Sequence, residues 1–97
     1  REFGPLESDR IDLRFPLEGW KRLLRRIHQR EKKLLLGESP LQVKTFDGLK
    51  LIGRERWILF RMSGTEPLLR IYAEGRSQKE AGKMLREGRH LAEEFLR

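Results

Sequence analysis

The sequence predicts an α+β domain: an antiparallel sheet of four to five strands with two helices packed on one face, in the order β-α-β-β-β-β-α. Three observations lead there. Two stretches, 16–36 and 77–95, carry apolar residues at spacings of three and four; the segment 41–74 between them alternates with period two; and turn residues cut that segment into pieces of strand length. Ninety-seven residues suffice for one core, burying about 65% of the unfolded surface, but not for two.

Residues 1–8, with Gly4, Pro5 and Ser8, read as an incoming linker, leaving 9–97 as the domain. Ile11, Leu13 and Phe15 then alternate with Asp12 and Arg14 as a half-buried strand does. Pro16 stops that strand and suits the first turn of a helix, where its missing N–H costs nothing. The helix places Trp20, Leu23, Leu24, Ile27, Leu34 and Leu35 on one stripe, with Glu31 the one charged residue in that register. Gly37 supplies a stop and Pro40 prevents continuation.

From residue 41 the period becomes two, Leu41, Val43 and Thr45 against Gln42, Lys44 and Phe46. Asp47-Gly48 predicts a two-residue hairpin turn, because both central positions take positive φ. Residues 49–52 are the return strand, Gly53-Arg54-Glu55 a second turn, 57–61 the next strand and 68–74 the last. Ser77-Gln78-Lys79-Glu80 predicts a capping box: Ser77 accepts from the amide of Glu80, and Glu80 reaches back to the amide of Ser77. Ala81, Met84, Leu85, Gly88, Ala92 and Phe95 form the buried stripe of the helix that follows, Gly88 marking a close approach to the sheet. Lys83 with Glu87 and Arg89 with Glu93 are four-apart pairs on its outer side.

Composition narrows the function. Hydrophobic residues make up 37% and charged residues 38%, and no apolar run approaches the ~18 residues of a membrane span, so no membrane partner is expected. The absence of cysteine excludes disulfides and thiolate metal sites and fits a reducing, cytoplasmic setting. A start at Arg1 rather than methionine suggests a piece of something longer. The net charge is +7, and residues 20–33 hold seven basic side chains against one acidic, six of those seven charges. A basic nucleic-acid-binding helix at 21–33 is therefore a rival reading.

One stretch concentrates small, polar and basic residues between apolar runs: Arg61-Met62-Ser63-Gly64-Thr65-Glu66-Pro67-Leu68-Leu69-Arg70-Ile71-Tyr72. It reads as strand, loop and returning strand. Across such a hairpin Arg61 and Arg70 become neighbours, with the Ser63 and Thr65 hydroxyls, a glycine and loop amides between them. Guanidinium groups match phosphate oxygens two donors at a time. Pro67 holds Glu66 extended and stiffens the loop. A plain polar hairpin turn with two surface arginines explains the same residues, and Glu66 counts against an anion unless it turns away to hold an arginine. The residues alone leave both readings open.

The stretch 61–74, ending Ile71-Tyr72-Ala73-Glu74, resembles the C-terminal phosphate-binding loop of the α-D-phosphohexomutase superfamily, which includes phosphoglucomutase, phosphomannomutase and phosphoglucosamine mutase. Asp47-Gly48-Leu49-Lys50 and the capped helix resemble the rest of that family's fourth domain, and Arg10-Ile11-Asp12-Leu13 the crossing into it. Met62 departs from the proline common at that place, which loosens the loop without removing a phosphate donor. The resemblance implies a fold like the TATA-box-binding protein. It implies that Arg61, Ser63, Gly64, Thr65 and Arg70 hold the non-transferred phosphate of a glucose or mannose 1-/6-phosphate during 1,6-phosphoryl exchange. It further implies three other domains in a parent isomerase, with magnesium and the reacting phosphoserine there. No catalytic residue and no metal or other cofactor is then expected in this domain, which would be inactive in isolation. Ile71-Tyr72-Ala73-Glu74 looks closer to the glucose and mannose mutases than to the glucosamine branch.

The rivals are weaker on the residues. A run of charges on the polar side of an amphipathic helix is ordinarily a solvated face, and Trp20, Phe46, Trp57, Phe60 and Phe95 are all claimed by strand or helix patterns, leaving no aromatic to stack on bases. His28 and His90 lack a second ligand at metal spacing, and Ser63 has no base beside it in sequence except Glu66.

Overall fold

The computed structural model of the chain describes residues 7–96, with Glu7 and Phe95 described by their backbone alone. Its strands are β1 (Glu7–Arg14), β2 (Gln42–Lys44), β3 (Leu49–Ile52), β4 (Trp57–Met62) and β5 (Leu68–Gly75). Its helices are α1 (Trp20–Gln29), α2 (Glu31–Leu34) and α3 (Gln78–Phe95), with a 3-10 turn at Leu17–Gly19 ahead of α1. The strands form one antiparallel sheet in the order β1-β5-β4-β3-β2. Strands β2 to β5 follow one another as hairpins, and β1 crosses to pair with the last of them. The expected α+β architecture is therefore observed. β1 starts at Glu7, inside the stretch read as linker; residues 1–6 of that stretch, and the Phe95 side chain, lie outside the described residues.

Alternation along the strands sends Leu49, Leu51, Ile58, Phe60, Leu69, Ile71 and Ala73 to one face, where they are 0% exposed and meet the helices. Leu23, Ile27, Leu34 and Leu35 cover them from one side, and Ala81, Met84, Leu85, Leu91 and Ala92 from α3. Burying a side chain such as Phe60 contributes about 1.5–3 kcal/mol. Gly88 has the expected role: a Cβ there would lie 3.2 Å from the Phe60 ring.

Local chemistry corrects several expectations. The first helix is not continuous. At Arg30 the backbone leaves helical geometry (φ −129°, ψ 24°) and its N–H turns to Ile27 O. This break lets Leu34 and Leu35 both reach the core while Glu31 stays at the rim, its Oε2 2.8 Å from His28 Nδ1. The stop is shared: Leu36 takes the left-handed position (φ 56°) and Gly37 follows at φ 101°, with Leu36 N bonding Lys33 O and Gly37 N bonding Lys32 O.

β2 is shorter than expected and forms an edge, with Leu41, Val43 and Phe46 all exposed, Phe46 at 93%. The connection to β3 runs over Thr45–Gly48 rather than two residues, although Asp47 (φ 56°) and Gly48 (φ 127°) do take positive φ. A Cβ on Gly48 would lie 2.6 Å from Phe60 O, so a side chain is excluded there twice over. The capping box is half made: Ser77 Oγ accepts from Glu80 N at 3.1 Å, but Glu80 Oε1 accepts from Arg76 N at 3.0 Å rather than from Ser77. Arg89 and Glu93 pair at 3.3 Å, whereas Glu87 turns to Lys33 of α2 at 3.7 Å instead of Lys83.

Candidate anion-binding site

The site of interest lies at the end of the sheet where β4 turns into β5. The ladder pairs Met62 with Leu69 and continues one step, Ser63 N donating to Leu68 O at 2.8 Å. Leu68 N then closes a tight turn onto Glu66 O at 2.7 Å, and Phe15 N donates to Pro67 O at 3.0 Å, tying the loop base to the end of β1. A stretch of only five residues, 63–67, is thus pinned at both ends. Stiffening of this kind lowers the ordering cost of binding.

Arg61 and Arg70 are direct partners across β4 and β5. Alternation puts both on the outer face, away from the helices, because their neighbours Phe60, Leu69 and Ile71 are buried. Each faces a carboxylate from its Nε side: Arg61 Nε lies 3.6 Å from Asp47 Oδ2, and Arg70 Nε 4.0 Å from Asp12 Oδ1. Arg70 Nε is itself buried without a hydrogen-bond partner among the described residues. Asp12 Oδ1 is shared, since Arg10 Nε lies 3.6 Å from it on the other side. Among the described residues, Arg61 and Arg70 make no ion pair other than these two.

Between the arginines, Thr65 N approaches Ser63 Oγ at 3.4 Å, a long contact, and the amides of Gly64 and Glu66 donate to no atom among the described residues. Gly64, Thr65, Glu66 and Pro67 are exposed, so the loop is a rim that contributes one wall of a site. A Cβ on Gly64 would meet nothing within 4 Å, and its φ lies outside the left-handed region. Neither packing nor backbone conformation within the described residues calls for glycine there. Glu66 makes no ion pair among the described residues and does not hold either arginine. At the far end of the same face, Trp57 Nε1 donates to Glu74 Oε1 at 2.7 Å and Lys50 Nζ sits 4.2 Å from the Trp57 ring centre.

The two carboxylates went unnoticed in the sequence. In the sequence Asp47 marks a turn and Asp12 the polar side of a strand, and neither is marked there as an arginine partner. The pairing of β1 with β5, which sets Asp12 opposite Arg70, leaves no local signal.

Elsewhere the basic run at 21–33 is broken up by partners: Arg26 Nη2 meets Glu94 Oε1 at 2.8 Å, Lys33 meets Glu87, and His28 meets Glu31. Lys21, Arg25, Arg30 and Lys32 are exposed. Phe46 corrects the expectation that no aromatic is free, although it sits on the β2–β3 connection rather than beside that helix. Among the described residues no group of three or more His, Asp and Glu could hold a metal ion, and no helix is long and apolar enough to cross a membrane.

Comparison with known proteins shows the family of the chain. The chain is 43% identical over 63 residues to a phosphoglucomutase/phosphomannomutase of Thermococcus kodakarensis, and 42% identical over 64 residues to a phosphoglucosamine/phosphogalactosamine mutase of Sulfurisphaera tokodaii. It is 38% identical over 62 residues to a phosphoglucosamine mutase of Methanocaldococcus jannaschii. These matches cover 65%, 64% and 62% of this chain but only 14% of each relative. Residues 21–90, which contain β2 to β5 and the loop, match the family described as phosphoglucomutase/phosphomannomutase, C-terminal domain, and the chain belongs to that family.

Proposed function

We propose that this chain is the phosphate-positioning domain of a phosphohexomutase, and that Arg61, Ser63, Gly64, Thr65 and Arg70 grip the phosphate that is not being transferred. The observation that carries this reading is the register of Arg61 opposite Arg70 at the foot of a pinned loop. Two like charges placed face to face across strands are unfavourable unless an anion joins them. A dianion between them takes charge-assisted bonds from both guanidinium groups, while the Ser63 and Thr65 hydroxyls and the amides of Gly64 and Glu66 complete its oxygens. The open space at Gly64 admits the ligand.

A grip of this kind recognises the anion and not the carbon that bears it. It serves a 1-phosphate and a 6-phosphate equally, as an exchange through a hexose bisphosphate requires, and contributes by positioning. The reacting groups belong to the three other domains of the parent chain. On this reading magnesium belongs there too. The substrate class is a hexose phosphate. The residues that follow the loop favour glucose or mannose phosphate, and the names of the relatives add glucosamine and galactosamine phosphates to the class.

The test is titration of the chain with inorganic phosphate and with glucose 1-phosphate, following the amide resonances of Gly64 and Thr65. Both ligands shift them in the wild type, and Arg70→Ala weakens binding by roughly 1.5–3 kcal/mol, about ten- to a hundredfold. An Arg70→Ala chain that binds as the wild type does would falsify the assignment. In the parent enzyme the same substitution lowers kcat/KM by a similar factor.

A further inference from the structure

One arginine at the same end of the sheet has no partner assigned to it. Arg14 is the last residue of β1 and lies opposite Leu68, the first residue of β5. Phe15, next in the chain, is buried at 1%, so Arg14 points to the outer face shared by Arg70 and Arg61. Its position relative to the loop is fixed by two bonds: Leu68 O takes the amide of Ser63, and Pro67 O takes the amide of Phe15. Arg61 stands on the β4 side of the loop base and Arg14 on the β1 side, with Arg70 between them on β5.

The neighbouring charges are occupied differently. Asp12, two residues back on the same face, is shared by Arg10 and Arg70. Asp47 faces Arg61. Arg14 is exposed and makes no ion pair or hydrogen bond among the described residues. Its charge is therefore uncompensated next to the loop.

We propose that Arg14 is a third phosphate-binding residue, closing on the dianion from the β1 side while Arg61 and Arg70 hold it from β4 and β5. The proposal rests on the loop being the phosphate grip, and it extends that grip to a strand outside the 21–90 segment shared with the family. A phosphate ester presents three free oxygens. The hairpin arginines and loop donors approach from the β4 and β5 strands and the tip, which leaves the β1 side to a donor from β1.

The experiment titrates the chain with inorganic phosphate and glucose 1-phosphate in four forms: wild type, Arg14→Ala, Arg14→Lys and Arg25→Ala. Arg25 is an exposed arginine of α1 and controls for the loss of one positive charge. We expect Arg14→Ala to weaken both ligands about tenfold, Arg14→Lys to recover part of the loss, and Arg25→Ala to remain within twofold of the wild type. If Arg14→Ala perturbs the fold, Arg14→Gln, which keeps an extended polar side chain, gives the same comparison. Equal affinities for the Arg14 and Arg25 variants overturn the proposal and leave the hairpin grip standing. Absence of any phosphate response in the wild type, or indifference to Arg70→Ala, overturns the grip itself and Arg14 with it.

Discussion

Replacing Arg56 with methionine is expected to be the most damaging single change at the surface of this domain. Arg56 precedes β4, and its side chain is only 16% exposed. Its Nη1 lies 2.8 Å from Glu38 Oε1 and its Nη2 3.0 Å from Glu80 Oε2, so one guanidinium joins the segment after α2 to the first turn of α3. Each carboxylate also takes a backbone amide, Glu38 from Arg54 and Glu80 from Arg76. Burial alone would lower the pKa of Arg56, but its bonds and charge interactions with Glu80 and Glu38 outweigh that and raise it. Methionine keeps much of the volume and removes two charge-assisted bonds, each worth about 1.5–3 kcal/mol. It also leaves two carboxylates, 19% and 25% exposed, without the cation between them. Water reaches groups of that exposure, which reduces the penalty, and the net loss comes to about 2–4 kcal/mol. At about 4–8 °C per kcal/mol, a loss of about 3 kcal/mol lowers Tm by about 12–24 °C. Urea denaturation measures it directly, with an unchanged m-value showing that only stability has moved. Adding Glu38→Gln and Glu80→Gln to Arg56→Met should recover about half the loss, because amides need no counter-charge. A loss under about 1 kcal/mol from Arg56→Met alone, or no recovery in the triple variant, would refute the reasoning.

Acid should expose the same network. Burial pushes the Glu80 carboxyl up, but the Arg76 amide and the Arg56 guanidinium outweigh it and hold the group below its ordinary value of 4.5. Because the folded value is the lower one, the contribution is complete above about pH 4.5 and disappears as pH falls through the folded value. Stability measured by denaturation should therefore fall on acidification below about pH 4.5, and Glu80→Gln should flatten that fall while leaving the chain less stable at pH 7. At the other end of the sheet, Arg61→Thr should raise stability by about 0.2–1 kcal/mol, by relieving the like-charge pair with Arg70, while weakening phosphate binding. Paired denaturation and phosphate titration check both halves, and a variant that loses stability and keeps affinity would count against the pairing argument.

The fold was legible wherever neighbours in sequence are neighbours in space. Strands β3 to β5 show alternation between buried and open faces and are joined by short turns, so the register of Arg61 against Arg70 could be anticipated from spacing alone. The α3 stripe was legible for the same reason, down to Gly88 beneath Phe60. What escaped depends on contacts distant in sequence. Phe46 fits an alternating pattern, yet β2 ends at Lys44 on a sheet edge where no described residue covers the ring, which is 93% exposed. Glu80 has the spacing of a capping box, but Arg56 competes for its carboxylate and draws the side chain away from Ser77. The break at Arg30, where φ is −129° and ψ 24°, re-aims α2 relative to α1, and a continuous helical stripe does not show it.

The place where local rules are broken most plainly is also the place assigned a function. Opposite charges on facing strands would stabilise this hairpin, and the chain instead sets Arg61 against Arg70. Asp47 and Asp12 offset part of the repulsion, but they stand 3.6 Å and 4.0 Å from the Nε edges, too far for a hydrogen bond. Closer pairs would have stabilised the empty site more and would have had to be broken before an anion entered. Looser ones would have let the arginines splay apart. Partial neutralisation leaves the charge of both guanidinium groups incompletely satisfied, which on the proposed reading a ligand would complete. If the proposed grip is right, binding an anion would gain both the new bonds and the relief of the arginine repulsion. Such a gain depends on the anion's charge, so the grip should hold a phosphate dianion more tightly than its monoanion whatever sugar it carries.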